Sequence, residues 1–272
     1  MLSNKNYKIL VLDLDGTLTN KKKEITSKTK ETLKLAMQKG VIVVLASGRP
    51  TYGIVPLAEE IELAKFGGYI LSFNGGTIIN WATKEVIFEK LLDRKMISPS
   101  YDMANKHGVD IISYINKDII TEGENNKYID YEAFLNKMPV RKVDSFTDEI
   151  TGSVNKCLIV GDENILVNVE TIMKDAYGDE MNVYRSEPFF LELVPHGIDK
   201  AASLSLLLEK LSLSKDDMIA CGDGYNDLSM IQFAGLGVAM SNANDTVKEA
   251  ANYITLSNEE DGVAHVIEKF IL

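Results

Sequence analysis

Apolar residues in this chain gather into short runs that stop at Asp, Ser or Gly. Tyr7 to Leu12 (YKILVL) and Val41 to Ala46 (VIVVLA) are nearly continuous in Ile, Leu and Val. Such runs predict strands buried on both faces of a parallel sheet. Between them, within Thr26 to Lys39, Leu33, Ala36 and Met37 fall at i, i+3 and i+4, and Gly40 follows as a natural C-terminal stop. Strand, helix and strand in about 40 residues make a βαβ unit with a right-handed crossover. A helix over Ile54 to Lys65 and a strand from Tyr69 to Phe73, closed by Asn74-Gly75-Gly76, extend it.

The C-terminal part repeats this grammar. Helices are predicted over Ala201 to Leu211, Asp227 to Phe233, Thr246 to Ala251 and Gly262 to Phe270. Strands are predicted over Met218 to Cys221, Leu236 to Met240 and Tyr253 to Thr255. The middle differs. Asp110 to Tyr114, a turn at Asn116-Lys117-Asp118 and Ile119-Ile120 read as a hairpin. Helix Tyr131 to Lys137, strand Val154 to Val160, helix Glu163 to Tyr177 and strand Met181 to Tyr184 follow. The fold class is therefore α/β: a parallel-sheet core from residues 1–83 and 189–272, with an α+β domain, residues 84–188, inserted into it. No internal repeat or low-complexity tract interrupts this reading.

Composition narrows the function. The 272 residues are 45% hydrophobic and 25% charged, ordinary for a globular chain, and long enough for one large domain or two modest ones. The net charge of −11 disfavours nucleic acid and anionic membranes, which need a basic stripe. If the substrate is itself an anion, the site must supply local positive charge, and a metal ion is a natural source. Cys157 and Cys221 form no CxxC spacing and read as reduced thiols. No targeting segment is readable at the N-terminus and no apolar run approaches the roughly 20 residues of a membrane helix. A soluble cytoplasmic protein is expected.

Candidate chemistry sits where the buried strands stop. Asp13 and Asp15 flank Leu14 at the end of the first strand, and side chains at i and i+2 of a strand project the same way. Both carboxylates are expected beyond the carboxyl edge of the sheet, where open α/β sheets bind ligands. Asp223 and Asp227, in GDGYND, follow another short apolar strand. With the two strands side by side, up to four carboxylates would converge. Two like charges about 4 Å apart repel by about 4 kcal/mol at an effective dielectric of 20. A divalent hard cation removes that repulsion, and all-oxygen ligation is the Mg²⁺ pattern. His107, His196 and His265 are scattered and suit no softer metal. Ser47-Gly48-Arg49 closes the second strand as a small anion nest or as a plain turn. Lys200 opens a helix just after Asp199, a plausible cap. A cation there opposes the helix dipole, so an anion is expected at the same end. Asp pair, Ser-Gly, Lys and Asp pair are the parts that phosphoryl transfer requires.

The motifs VLDLDGTLT (Val11 to Thr19), LASGRP (Leu45 to Pro50), GIDKAASL (Gly197 to Leu204) and CGDGYNDLSMI (Cys221 to Ile231) resemble the haloacid dehalogenase superfamily. The resemblance is specifically to the Cof-type sugar-phosphate phosphatases with a subclass IIB cap. GVAMSNANDTVKEAANYIT (Gly237 to Thr255), NEEDGVA (Asn258 to Ala264) and FNGGTI (Phe73 to Ile78) match too, whereas Ala201 and Ser241 stand where relatives often carry Gly. The resemblance implies a Rossmann-like core with an inserted cap, and Mg²⁺ as cofactor. Asp13 would attack phosphorus, and Asp15 would protonate the leaving oxygen and later deprotonate water. Asp13, the Asp15 backbone carbonyl and Asp223 would hold the metal, with Asp227 supporting its shell. Ser47, Gly48, Lys200 and Asn226 would bind phosphoryl oxygens. The cap would close over the core and contact the leaving group, with Tyr114, Arg185 and Glu187 as candidates.

The implied function is Mg-dependent hydrolysis of a small phosphomonoester, with no nucleic-acid or membrane partner. A sugar-phosphate phosphomutase is the nearest rival, and it needs convergent cations among Lys127, Lys137, Arg141, Lys142, Lys156, Lys174 and Arg185. A non-catalytic sugar-phosphate-binding regulator is a further alternative. A sugar-nucleotide transferase built on D-x-D would leave GDGYND and Lys200 unexplained.

Overall fold

The computed structural model describes residues 6–272. Residues 1–5, the start of the stretch read above as free of a targeting signal, lie outside it. The chain divides into two compact units, 1–89 with 199–272, and 90–198. No helix among the described residues is long and apolar enough to cross a membrane.

The first unit is built on an eight-stranded sheet. Its order is Tyr253–Ile254, Leu236–Ala239, Met218–Gly222, Ile9–Leu12, Ile42–Ala46, Tyr69–Ser72, Thr77–Asn80, Val86–Glu89. The first six strands are parallel, and Thr77–Asn80 pairs antiparallel with both Tyr69–Ser72 and Val86–Glu89. Ile9–Leu12 is central and buried throughout, which is why its sequence is apolar without alternation. From it the chain winds outward to Ile42–Ala46 and Tyr69–Ser72 on one side. Met218–Gly222, Leu236–Ala239 and Tyr253–Ile254 lie on the other. The strand order therefore reverses at Ile9–Leu12, and the carboxyl end of a strand at such a switch point is where open α/β sheets bind ligands.

Helix Ser27–Gln38 buries Leu33, Ala36 and Met37, the predicted apolar stripe, and Thr26 caps it by accepting the Thr29 N–H at 3.1 Å. These residues join Leu10, Leu12 and helix Gly262–Phe270 in a core on one face of the sheet. Helix Lys200–Lys210 contributes Leu204, Leu207 and Leu208 to the core on the other face, with Ile9, Val11 and Val44. Alternate residues of one strand thus anchor both layers.

The second unit has a six-stranded sheet in the order Asn182–Glu187, Phe190–Val194, Cys157–Val160, Asp110–Ile115, Asp118–Thr121, Val140–Lys142. All its pairings are antiparallel except that of Asp118–Thr121 with Val140–Lys142. Helices Ile97–Lys106 and Glu163–Tyr177 supply Ile97, Ala104, Leu166, Val169 and Met173 to its core. The expected hairpin is present, with Asn116 at φ +54° in its turn.

The unit boundaries differ from 84 and 188. Val86–Glu89 pairs with Thr77–Asn80 and so completes the large sheet. Phe190–Val194 pairs with Cys157–Val160 and Asn182–Glu187, which puts residues 189–198 in the second unit rather than the first.

Candidate active site

The chain leaves extended conformation after Leu12, and Asp13 stands immediately beyond the strand, its N–H donating to the Cys221 carbonyl at 3.0 Å. Lys200 begins helix Lys200–Lys210, and Asp199 caps it by accepting the Ala202 N–H at 2.9 Å. The Lys200 side chain is fully buried. Its ammonium donates to Asp13 Oδ1 at 2.8 Å, Asp227 Oδ1 at 2.6 Å and the Ala46 carbonyl at 3.0 Å. Three protons meet three acceptors. The anion expected at this helix start is therefore a pair of carboxylates from two different strand ends.

Asp227 is anchored further. Its Oδ2 accepts the N–H groups of Asp223 (3.0 Å) and Gly224 (2.9 Å), which folds the GDGYND loop back on itself. Both of its oxygens are thus engaged. Asp223 Oδ1 accepts from the Thr17 hydroxyl at 2.6 Å. One oxygen each from Asp13, Asp223 and Asp227 lie within 4.8 Å of one another, a group that could hold a metal ion. Three carboxylates against one ammonium leave two excess negative charges in a buried site, and a divalent cation balances that excess. The donors fit a hard cation, since all are oxygen and no imidazole or thiolate belongs to the group.

The electrostatics agree. Burial, then the neighbouring Asp227, pushes the Asp13 carboxyl well above its ordinary range, although Lys200 opposes this. Burial outweighs the Thr17 hydrogen bond and pushes Asp223 to about 6. For Lys200, burial disfavours the charge, but Asp13 and Asp227 overcome it and hold the ammonium above the usual lysine range.

Asp15 does not join this group, so three carboxylates converge and not four. The rule that i and i+2 project together applies only to extended chain, and here the strand ends at Leu12 and a turn begins at Leu14, continuing through Gly16 at φ +87°. The Asp15 carboxylate instead meets Arg49, which donates from Nε at 2.7 Å and from Nη2 at 2.6 Å, and Lys23, which donates at 2.6 Å. Burial raises its pKa, but these bonds outweigh burial and lower it. The side chain remains 37% exposed.

Gly16 has a second constraint. A methyl built there would overlap the Asp223 carboxylate, and its φ disfavours any L side chain. Gly16→Ala is expected to displace Asp223 and weaken divalent-cation affinity by about 10–100-fold. Calorimetric titration of Mg²⁺ into the variant and the parent checks this, and equal affinities would count against the assigned cluster.

Ser47 is buried at the end of Ile42–Ala46, and its Oγ accepts the Arg49 N–H at 3.2 Å in a tight turn. Gly48 lies between them. Asn226 is exposed and donates from Nδ2 to Asn74 Oδ1 at 3.1 Å. The SNAND segment is also tied in. Asn242 donates to the Gly16 carbonyl at 2.8 Å, and Asn244, the cap of helix Asp245–Ala250, donates to the Asp223 carbonyl at 3.4 Å.

In the second unit, Tyr114 is buried and donates to Glu132 at 2.5 Å. Arg185 is paired with Glu170 at 2.8 Å and faces Glu163 at 3.8 Å. Glu187 is exposed. Of the three leaving-group candidates, two are thus committed to partners inside their own unit.

Thr17, Lys23 and Asn74 have no role legible in the sequence, and Arg49 is legible only as part of the Ser47-Gly48-Arg49 turn, not as the partner of Asp15. Arg49 and Asn74 at least stood inside matched motifs. Thr17 also did, but its bond to a residue 206 positions away had no local signal.

The sequence profile of the haloacid dehalogenase-like hydrolases matches residues 10–267. A 5-amino-6-(5-phospho-D-ribitylamino)uracil phosphatase of Bacillus subtilis, YcsE, is 34% identical over 269 residues, covering 98% of this chain and 97% of its own. A haloacid dehalogenase-like hydrolase from Bacteroides thetaiotaomicron superposes with a TM-score of 0.95 at 55% identity, over 97% of this chain and 99% of that one. TM0651 from Thermotoga maritima superposes with a TM-score of 0.89 at 28% identity, over 97% of each chain.

Proposed function

This chain belongs to the haloacid dehalogenase-like hydrolase family and is a phosphatase of phosphorylated small molecules, and from that membership we propose that it hydrolyses phosphomonoesters by double displacement on Asp13. The observation that carries this is the buried Lys200 ammonium, which bridges Asp13 and Asp227 at the switch point of the sheet. A fixed cation holds one oxygen of Asp13, so the other is oriented for attack.

In the first step Asp13 forms a bond to phosphorus as the ester oxygen departs, and Asp15, once it has parted from Arg49 and Lys23 and taken up a proton from solvent, supplies the proton that the departing oxygen needs. In the second, Asp15 takes a proton from water as that water attacks the aspartyl-phosphate. Inorganic phosphate leaves and both carboxylates are restored. The Ser47 hydroxyl, the Gly48 N–H and the Asn226 amide bind the transferring oxygens, beside Lys200. Asp13, Asp223 and the Asp15 carbonyl would hold Mg²⁺, and Asp227, whose two oxygens are already engaged, would orient the Asp223 loop. When bound, the cation offsets the charge of carboxylates and phosphoryl group together.

Phosphorylated sugars and polyols are the substrate class. The relative named for 5-amino-6-(5-phospho-D-ribitylamino)uracil has its phosphate on a ribityl chain, which supports this choice. We assign leaving-group selection to residues 90–198. The mutase alternative gains no support. Among the cations it would need, Arg141, Lys142, Lys156, Lys174 and Arg185 are each paired with a carboxylate.

The test is phosphate release from a panel of sugar, polyol and nucleotide monophosphates, with Mg²⁺ and with chelator. Release from sugar or polyol esters that needs Mg²⁺ is expected, and release unaffected by chelation would overturn the metal assignment. The pH dependence supplies a second check. Protons compete with the metal for Asp223, whose carboxyl in the metal-free site titrates near 6. Affinity for Mg²⁺ should therefore be full well above pH 6 and fall at least about tenfold by pH 5. A flat affinity between pH 7.5 and 5 would contradict it.

A further inference from the structure

Phe73, Asn74 and Gly75 have φ of +53°, +55° and +102°, three successive residues in the left-handed region, two of them not glycine. L residues adopt this conformation rarely, and proteins keep it where the surroundings over-determine it, often at functional sites. Here the surroundings are the segments that carry the phosphoryl site. The Phe73 N–H donates to the Arg49 carbonyl at 3.0 Å, and the Asn74 N–H to the Ser47 carbonyl at 2.9 Å. The Ser203 hydroxyl, in the first turn of the Lys200 helix, donates to the Gly75 carbonyl at 2.7 Å.

The side chain of Asn74 adds what the backbone does not need. A methyl built on Gly48 would lie 3.1 Å from its Nδ2 and 3.2 Å from its Oδ1, so the carboxamide fills the space that Gly48 leaves empty. Its Oδ1 accepts from the Asn226 amide at 3.1 Å, which ties the exposed Asn226 side chain down across the sheet. If the bend alone were needed, glycine would serve at 74 as it does at 75.

We infer that Asn74 is a positioning residue of the phosphoryl site, holding the Asn226 carboxamide in place beside the Ser47–Gly48 nest. The inference rests on the phosphatase reading above and names a residue that acts through Asn226. Because it acts through Asn226, losing either residue should weaken phosphate binding equally, and losing both should cost no more.

The experiment uses the full chain with Mg²⁺, comparing the parent with Asn74→Gly, Asn226→Ala and the double variant. Steady-state phosphate release from p-nitrophenyl phosphate and a sugar phosphate is measured, along with inhibition by inorganic phosphate. Asn74→Gly removes the carboxamide while accommodating the same backbone, so its Tm should stay within about 4 °C of the parent. Its KM and its inhibition constant for phosphate should each rise about tenfold, with kcat within about threefold. Asn226→Ala should match it, and the double variant should be no worse than either. Unchanged KM and inhibition constant in Asn74→Gly would overturn the inference, as would effects that multiply in the double variant. Should Asn74→Gly not fold, Asn74→Ala, which also removes the acceptor for the Asn226 amide, supplies the same comparison. A parent that releases no phosphate from any ester would remove the phosphatase reading itself, a result distinct from the others.

Discussion

Asn at position 13 is expected to lower phosphate release by on the order of 10⁴-fold or more while leaving the fold intact. The carboxamide has nearly the shape of the carboxylate but lacks the electron pair and charge that attack on phosphorus needs. Nothing adjacent substitutes for it. Asp227 has both oxygens engaged, and Asp223 is held by Thr17. Stability should change little, or rise slightly in the absence of metal. Asp13 is a buried anion facing two others, and its raised pKa, due first to burial and then to Asp227, marks ionisation there as unfavourable. Removing that charge leaves Lys200 paired with Asp227 and relieves the repulsion. Steady-state kinetics with a sugar phosphate, alongside thermal unfolding, would check both. Retention of more than about 1% of activity would shift the nucleophile away from Asp13. A collapse in Tm would mean that the residue is structural as well.

Much of this site is legible in the sequence, and the reason is physical. Strand ends in a parallel sheet are marked by an apolar run that stops at a polar residue, so Asp13, Ser47 and Asp223 announce themselves locally. Lys200 was legible because a cation at a helix N-terminus opposes the dipole and demands an anion. What the sequence could not carry was the path of the backbone after each strand. Asp15 parts from Asp13 because the strand ends at Leu12 and the chain is already turning at Leu14. Its partners, Arg49 and Lys23, lie 34 and 8 residues away and are paired with it only by folding. Lys23 in particular sits at φ +61° in a turn that carries no apolar pattern to read. The second unit was harder for the same reason. Phe190–Val194 is buried along its whole length because both its neighbours are antiparallel strands of that unit, a pairing invisible in the strand itself. Helix Ile97–Lys106 begins Ile-Ser-Pro-Ser, which resembles a turn, yet Pro99 falls in the first helical turn, where a missing N–H costs nothing.

The largest effect on stability is expected at Lys200. Replacing it by Met keeps the length and apolar stem of the side chain and removes the ammonium. Asp13, Asp227 and the Ala46 carbonyl then lose one common buried donor. Breaking a buried ion pair by removing one partner typically costs about 3–5 kcal/mol, because a charge is left buried without compensation. For a unit of this size that corresponds to a fall in Tm of about 6–20 °C. Activity should fall by about 10²–10³-fold or more, since the group that fixes one oxygen of Asp13 is gone. Stability and activity can be separated. Adding Asp227→Asn to Lys200→Met removes one of the stranded charges and should recover a substantial part of the lost Tm, while activity stays low. The pH dependence follows from the direction of the lysine shift. Burial opposes the ammonium, but Asp13 and Asp227 hold its folded pKa above the unfolded value. Its contribution is therefore fully present below about pH 10.4 and fades only as pH rises beyond that. The gap in Tm between parent and Lys200→Met should accordingly not narrow between pH 7 and 9. A variant that unfolds with the parent would show that the three bonds to Lys200 hold nothing together, and the case for a rigid, preset Asp13 would fall with them.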